Sequence, residues 1–178
     1  MLPIVQVGDP VLRAIATPVA VADLPELAEL IVAMRDTMRA APGVGLAAPQ
    51  VGRSIALAVI EDPPQLHATL APEQLAARER AAVPFHVLVN PRLTPLGDEV
   101  VDAYEGCLSF KSFVMIVRRW RSVKVEALDE YGAPITIEAT GWYARILQHE
   151  IDHLNGIVCC DRMDPRTLAT SENHAKFD

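Results

Sequence analysis

The run Gln148-His149-Glu150-Ile151-Asp152-His153 sets two imidazoles four residues apart, which on a helix places them on one face where both can grip a single metal ion. Glu150 lies about 100° further round that helix from His149, near enough to reach a water on the ion rather than the ion itself. This is a pattern for metal-assisted hydrolysis. The plainer alternative is a pair of hydrogen-bonded surface histidines, and the flanking residues bear against it. Thr140 can cap the helix start, Trp142, Ile146, His149 and His153 recur at helical steps, and Gly156 is placed to end the helix. The histidines therefore continue an apolar stripe that points inward, where an unpaired imidazole pair would be costly and a metal-bound pair would not.

The rest of the chain is read around this helix. A length of 178 residues suits one domain spanning residues 1–178, with a core large enough to need no disulfides. Hydrophobic residues at 51% and charged residues at 22% describe an ordinary globular protein. A net charge of −7 argues against a direct nucleic-acid function, which draws on clustered Lys and Arg. Arg118, Arg119 and Arg121 form the one dense basic run, and it reads as a solvated strand face. Met1-Leu2-Pro3 lacks the start of a secretory signal and no apolar run is long enough to cross a membrane, so the expected location is the cytoplasm. Three cysteines, an odd number, fit a reducing compartment and leave a thiolate free to act as a ligand.

Asp9-Pro10 predicts a capped helical turn, and the spacing of Leu27, Leu30, Ile31, Met34 and Met38 predicts a helix over residues 25–40. Gly43-Val44-Gly45-Leu46-Ala47-Ala48-Pro49-Gln50 reads as a loop of small residues in which Gln50 is the polar exception. It lacks the Lys-Ser/Thr ending of a phosphate-binding loop. Residues 55–60, 85–90, 99–104, 113–117, 122–128 and 135–139 read as strands, with a hairpin turn at 129–132 and a polar surface helix between 72 and 82. The expected class is α+β: antiparallel sheets packed around the central histidine helix, with an N-terminal helix added.

Catalytic metal sites keep three protein ligands, so two histidines call for a third. Glu105-Gly106-Cys107-Leu108-Ser109 offers Cys107 at a strand end, whereas Cys159 and Cys160 lie in an apolar run and read as small core residues.

Three segments, residues 43–50, 105–109 and 149–153, together resemble the peptide deformylase family, hydrolases that take the formyl group off the N-terminal methionine of nascent chains. The likeness runs loosely from Gly8-Asp9-Pro10 to Met163, and the segment 85–90, the insertion before it and residues 171–178 look more like the branch with mitochondrial enzymes than the best-known bacterial ones. The resemblance implies that Cys107, His149 and His153 bind one divalent metal, natively Fe²⁺ with Zn²⁺, Ni²⁺ or Co²⁺ also accepted. It implies Glu150 as general acid and base, Gln50 and the Leu108 backbone N–H as oxyanion donors, and Gly45 among the catalytic positions. The implied partners are formyl-methionyl peptides, with transient ribosome contact, in a bacterial cytoplasm or an organellar matrix. Water activated by the metal would attack the formyl carbon, Glu150 taking its proton and returning it to the amine.

Val44, Trp142 and Ile146 would form an apolar pocket for the methionyl side chain, although core packing explains them equally well. Glu105 and Arg119 would pair to brace the Cys107 segment. Phe110-Lys111-Ser112 departs from the family pattern of an aliphatic residue, Pro and a small or acidic residue, which alters the substrate rim. A zinc endopeptidase and a non-catalytic peptide-binding module are the rival readings; Cys107 and the 43–50 loop speak against the first, and the full set of polar site residues against the second.

Overall fold

The computed structural model describes residues 1–68 and 70–177; Asp178, the end of the terminal segment singled out above, lies outside the described residues. The turn at Pro10–Arg13 is a 3-10 helix whose first N–H groups are served by Asp9, its Oδ1 accepting from the Val11 N–H at 3.0 Å. The first long helix, α1 (Ala28–Ala40), starts later than its apolar spacing suggests. Pro25 falls inside a 3-10 segment, Val21–Leu27, because a ring in place of an N–H interrupts the α-helical ladder.

Next come β1 (Gly45–Ala47), a 3-10 turn at Ala48–Val51, and β2 (Leu57–Asp62). The segment read as a plain loop is thus an edge strand followed by a turn: its small residues let the backbone pair directly with β2, Leu46 opposite Val59. A surface excursion carries α2 (Pro72–Ala77) and leads to β3 (Val83–Pro95). This strand runs well past Asn90, which looked like its end. Asn90 adopts a positive φ of 51°, the register shifts between Val89 and Arg92, and the Asn90 amide bonds both backbone groups of Val19. A bulge absorbs the turn-forming residues without ending the strand.

Then follow β4 (Val100–Cys107), β5 (Phe110–Trp120), β6 (Ser122–Leu128), β7 (Pro134–Thr140) and α3 (Gly141–Leu154), with β8 (Ala169–Thr170) and α4 (Ser171–Phe177) closing the described chain. Five strands form an antiparallel sheet in the order β1-β2-β3-β6-β7, and three form a second in the order β4-β5-β8. The chain is α+β, as expected.

The alternation of side chains along β2 and β3 explains the layering. Leu57, Val59, Val87 and Val89 face α1, packing on Ile31, Met34 and Met38. Ile60 and Leu88 face the other way, joining Val123, Val125, Leu147 and Ile151 around α3. Both faces of the large sheet are covered, so β2 reads as a continuous apolar run rather than an alternating one. Each fully buried Leu or Ile contributes about 1.5–3 kcal/mol. The small sheet closes over the remaining side of α3, with Met115 and Val117 buried against Cys159.

Two local expectations need correction. Thr140 does occupy the position before α3 in an extended conformation, but its side chain does not cap the helix; its Oγ1 lies 2.9 Å from Ser122 Oγ across the β6–β7 pair instead. The basic run is not one solvated face either. Arg119 is only 4% exposed, because alternation along β5 turns it opposite to Arg118 and into a cluster of carboxylates. Among the described residues no helix is long and apolar enough to cross a membrane.

Candidate active site

Helix α3 carries His149, Glu150 and His153 into the space between the two sheets; Glu150 and His153 are buried. The two imidazole rings stand 5.0 Å apart, centroid to centroid, as one helical turn requires. Across from them the β4–β5 hairpin ends in Cys107, whose Sγ lies 3.3 Å from His153 Nε2. The donor atoms of Cys107, His149 and His153 all fall within 4.8 Å of one another.

The surroundings decide which atoms face this point. His149 Nδ1 lies 2.9 Å from Glu105 Oε2, and since a carboxylate only accepts, Nδ1 is the donor and Nε2 is the nitrogen left for a metal ion, which would displace its proton. Burial favours the neutral form of His149, yet the hydrogen bond and charge of Glu105, with that of Glu150, outweigh it and raise the pKa to about 9. Burial pushes His153 well down, so it stays a neutral donor. The nearby Cys159 sulfur, burial and the Glu150 charge push the Cys107 thiol well up. A thiolate here therefore requires a cation beside it, and a soft sulfur with two neutral imidazoles is a donor set suited to Fe²⁺, Zn²⁺, Ni²⁺ or Co²⁺.

Glu105 holds the assembly together. Its carboxylate takes Arg119 Nε at 2.9 Å and Nη2 at 3.0 Å, and Arg145 Nη1 at 2.7 Å. Arg119 in turn bonds Asp152, which also receives Arg162 Nε and Nη2 at 2.7 and 2.8 Å. Burial works against the charged form, but the hydrogen bonds and charges of His149 and Arg119 hold the Glu105 carboxyl far below the usual carboxylate range. The Glu105–Arg119 pair was legible from sequence; Arg145 and Asp152 were not picked out. Both sit on the same helix as His149, four residues before it and three after, so their position on the inward face was the available signal.

Glu150 has a different setting. Its Oε2 is buried with no protein hydrogen-bond partner among the described residues. Burial raises its carboxyl to about 7, the His149 charge opposing and the Glu105 charge adding to the rise. Gly45 faces it so closely that a side-chain carbon there would stand 2.3 Å from Glu150 Oε1. Gln50, 1% exposed, is fixed by its own strand end: the Ala47 N–H donates to Oε1 at 2.8 Å, which aims Nε2 at Ser109 Oγ (3.3 Å) and Cys107 Sγ (3.7 Å). Leu108 is anchored through its carbonyl, which accepts from Gln6 Nε2 at 3.0 Å.

These groups open into a cavity of about 810 Å³, lined on its apolar side by Val44, Leu108, Trp142 and Ile146 and on its polar side by Gln50, Cys107, His149 and Glu150. Lys111 and Ser112, from the unusual 110–112 segment, stand at its rim. Every site residue expected from the sequence thus borders this cavity except His153, which is buried next to Cys107. A buried carboxylate with no partner beside three convergent donors can exchange a proton with a water molecule.

A family model described as polypeptide deformylase matches residues 1–169. The chain is 48% identical over 173 residues to peptide deformylase 3 of Streptomyces avermitilis, covering 96% of this chain and 75% of that one. It is 42% identical over 165 residues to the mitochondrial peptide deformylase of Homo sapiens, covering 92% and 68% of the two chains. Among solved structures it resembles a class I type b peptide deformylase from Acinetobacter baumannii with Met-Ala-Ser bound, at a TM-score of 0.80 and 34% identity over 92% of this chain and 98% of that one. A peptide deformylase from Synechococcus elongatus in complex with actinonin gives a TM-score of 0.76 and 37% identity, covering 93% and 80%.

Proposed function

This chain belongs to the polypeptide deformylase family and is a metalloenzyme that removes the N-formyl group from nascent peptides, and we propose that Cys107, His149 and His153 hold its metal ion while Glu150 carries the proton. The observation that carries this reading is the convergence of one sulfur and two ring nitrogens within 4.8 Å, beside a buried carboxylate oxygen that meets no protein partner. A divalent ion held there supplies Lewis acidity, which brings the pKa of a water molecule in the site down to roughly 7.

The chain's own groups do the rest. Glu150, poised near neutrality by burial, accepts the proton of the attacking water. As the formyl carbon becomes tetrahedral, Gln50 Nε2 and the Leu108 backbone N–H donate to its oxygen; losing one such donor typically costs about 10²-fold or more. Glu150 then gives its proton to the departing amine, so that one water and one formyl amide yield formate and a free N-terminus. Gly45 serves by having no side chain, which lets Glu150 lie against the backbone. Glu105 keeps the His149 lone pair turned to the site.

Val44, Trp142 and Ile146 receive the methionyl side chain, a long flexible thioether suited to an apolar wall. The native ion is Fe²⁺, with Zn²⁺, Ni²⁺ and Co²⁺ as substitutes, one per chain. Residues 1–178 act as a single catalytic domain that meets emerging chains by transient contact with the ribosome. Its relatives are bacterial and mitochondrial, in keeping with work in a bacterial cytoplasm or an organelle.

The test is formate release from formyl-Met-Ala-Ser. Glu150→Gln is expected to keep its metal and lose turnover by at least about 10³-fold, at the centre of the range for a positioned acid–base group. An unchanged rate in the metal-loaded variant would remove Glu150 from the role.

A further inference from the structure

The loop after α2 reaches the cavity wall without taking part in the chemistry described above. We propose that Arg78 and Arg80 are specificity-determining positioning residues: they clamp the Trp142 indole against the cavity, so that the excursion between β2 and β3 sets which substrate side chain is accepted. The proposal rests on the reading that this wall receives the methionyl side chain.

Both guanidiniums lie over the same ring, with Arg78 Cζ at 5.2 Å and Arg80 Cζ at 5.3 Å from its centroid. An indole face attracts cations, and two at once hold it from turning. Like charges this close repel, and the structure offsets that repulsion at Arg80. Its Nε and Nη2 each meet a carboxylate oxygen of Asp62 at 2.8 Å, and the Asp62 side chain is 1% exposed at the end of β2. The clamp is therefore anchored in the sheet that carries the core.

The backbone repeats the contact. The Trp142 N–H donates to the Arg78 carbonyl at 2.9 Å. Gly141 has φ +62°, and a side-chain carbon on it would stand 2.4 Å from Glu79 Cβ and 2.8 Å from the Arg78 oxygen, so only glycine lets the loop close on the start of α3. Glu79 itself takes a positive φ of 46°, and its carboxylate receives Arg121 Nε at 3.0 Å. The loop is held by charge, backbone and sterics at the residue that forms the wall. A wall so fixed admits a slim unbranched side chain and resists being pushed back by a wider one.

The experiment compares kcat/KM for formyl-Met-Ala-Ser and formyl-Phe-Ala-Ser in wild type, Arg78→Ala, Arg78→Lys, Trp142→Leu and the Arg78→Ala/Trp142→Leu double variant, all metal-loaded. Arg78 is chosen because removing Arg80 would strand the buried Asp62 charge. Arg78→Ala is expected to lower the Met-to-Phe ratio by about threefold to tenfold, the span of a partly desolvated cation–ring contact. The loss should come more from a raised KM for the Met peptide than from kcat, with Arg78→Lys recovering part of the ratio. In the Trp142→Leu background the same change should move the ratio by less than about twofold, because the coupled partner is gone. Arg78→Gln, which removes the charge and keeps most of the stem, gives the same reading if the alanine variant does not fold. An unchanged ratio in folded Arg78→Ala or Arg78→Gln, or an equal shift with and without Trp142, overturns the clamp while leaving the deformylase reading intact. A wild-type enzyme with no preference for Met over Phe overturns the pocket reading and the clamp together.

Discussion

At the scale of single residues, the site depends on one missing side chain and on charges that change meaning when a cation is present. Gly45 leaves room for Glu150 and for nothing else: a methyl group there would stand 2.3 Å from the carboxylate. Gly45→Ala is therefore expected to displace Glu150 and lower kcat by about 10²-fold, the effect of roughly an ångström of misplacement, while metal content by elemental analysis stays the same. The charges give a second expectation, for protein stripped of metal. Glu150 is raised from 4.5 to about 7 and His149 from 6.5 to about 9, so in both cases the folded state holds its proton more tightly than the unfolded chain does. A raised pKa contributes stability below the unfolded value and loses it as pH rises through the folded value. His153 and Cys159, whose values are lowered, act in the opposite sense, so the clean readout is a difference: the thermal midpoint of the metal-free protein minus that of metal-free Glu150→Gln should fall as pH rises from about 5 through about 7. A difference that stays flat or rises with pH over that range would contradict the environment assigned to Glu150.

Elements were legible where periodicity was strong and partners were local. The apolar steps of α3 and α1 and the alternating strands of the β6–β7 hairpin could be read directly. What could not be read depended on neighbours distant in sequence. Three residues of β1 and two of β8 are strands only because β2 and β5 lie beside them. The end of β3 was hidden by an Asn90 that serves a bulge and ties down Val19. Arg119 read both as part of a solvated basic run and as a partner for Glu105, and the alternation along β5 decides for the second. At this scale Glu105 and Arg119, paired across the β4–β5 hairpin that offers Cys107, reach Arg145, His149 and Asp152 on the helix that offers both histidines. Removing either partner is expected to cost about 1.5–3 kcal/mol, the range for a charged hydrogen bond, because the other stays buried with only its remaining partners, Arg145 and His149 for Glu105 or Asp152 for Arg119. A double-mutant cycle by denaturant unfolding, Glu105→Gln with Arg119→Met, should show coupling well above 1 kcal/mol; additive losses would mean that the two segments are braced by something else.

For the molecule as a whole, the fold brings together groups that the sequence keeps apart: the thiol of Cys107 and the ring of His153 stand 46 positions from one another, and Gln50 a further 57 from Cys107. The large sheet packs α1 on one face and α3 on the other, and the small sheet delivers the sulfur to it. The triad could be proposed from residue types and spacing because metal chemistry demands a third donor; its bracing by Arg145 and Asp152, and the reach of the 63–82 excursion to Trp142, needed the three-dimensional arrangement. The most direct test is X-ray absorption at the zinc edge of protein stripped of metal and reconstituted with one equivalent of Zn²⁺. One sulfur at about 2.3 Å and two imidazole nitrogens at about 2.0–2.1 Å are expected, with the sulfur shell lost in Cys107→Ser. A spectrum with only nitrogen and oxygen neighbours, or one that keeps its sulfur after that substitution, would contradict the shared site.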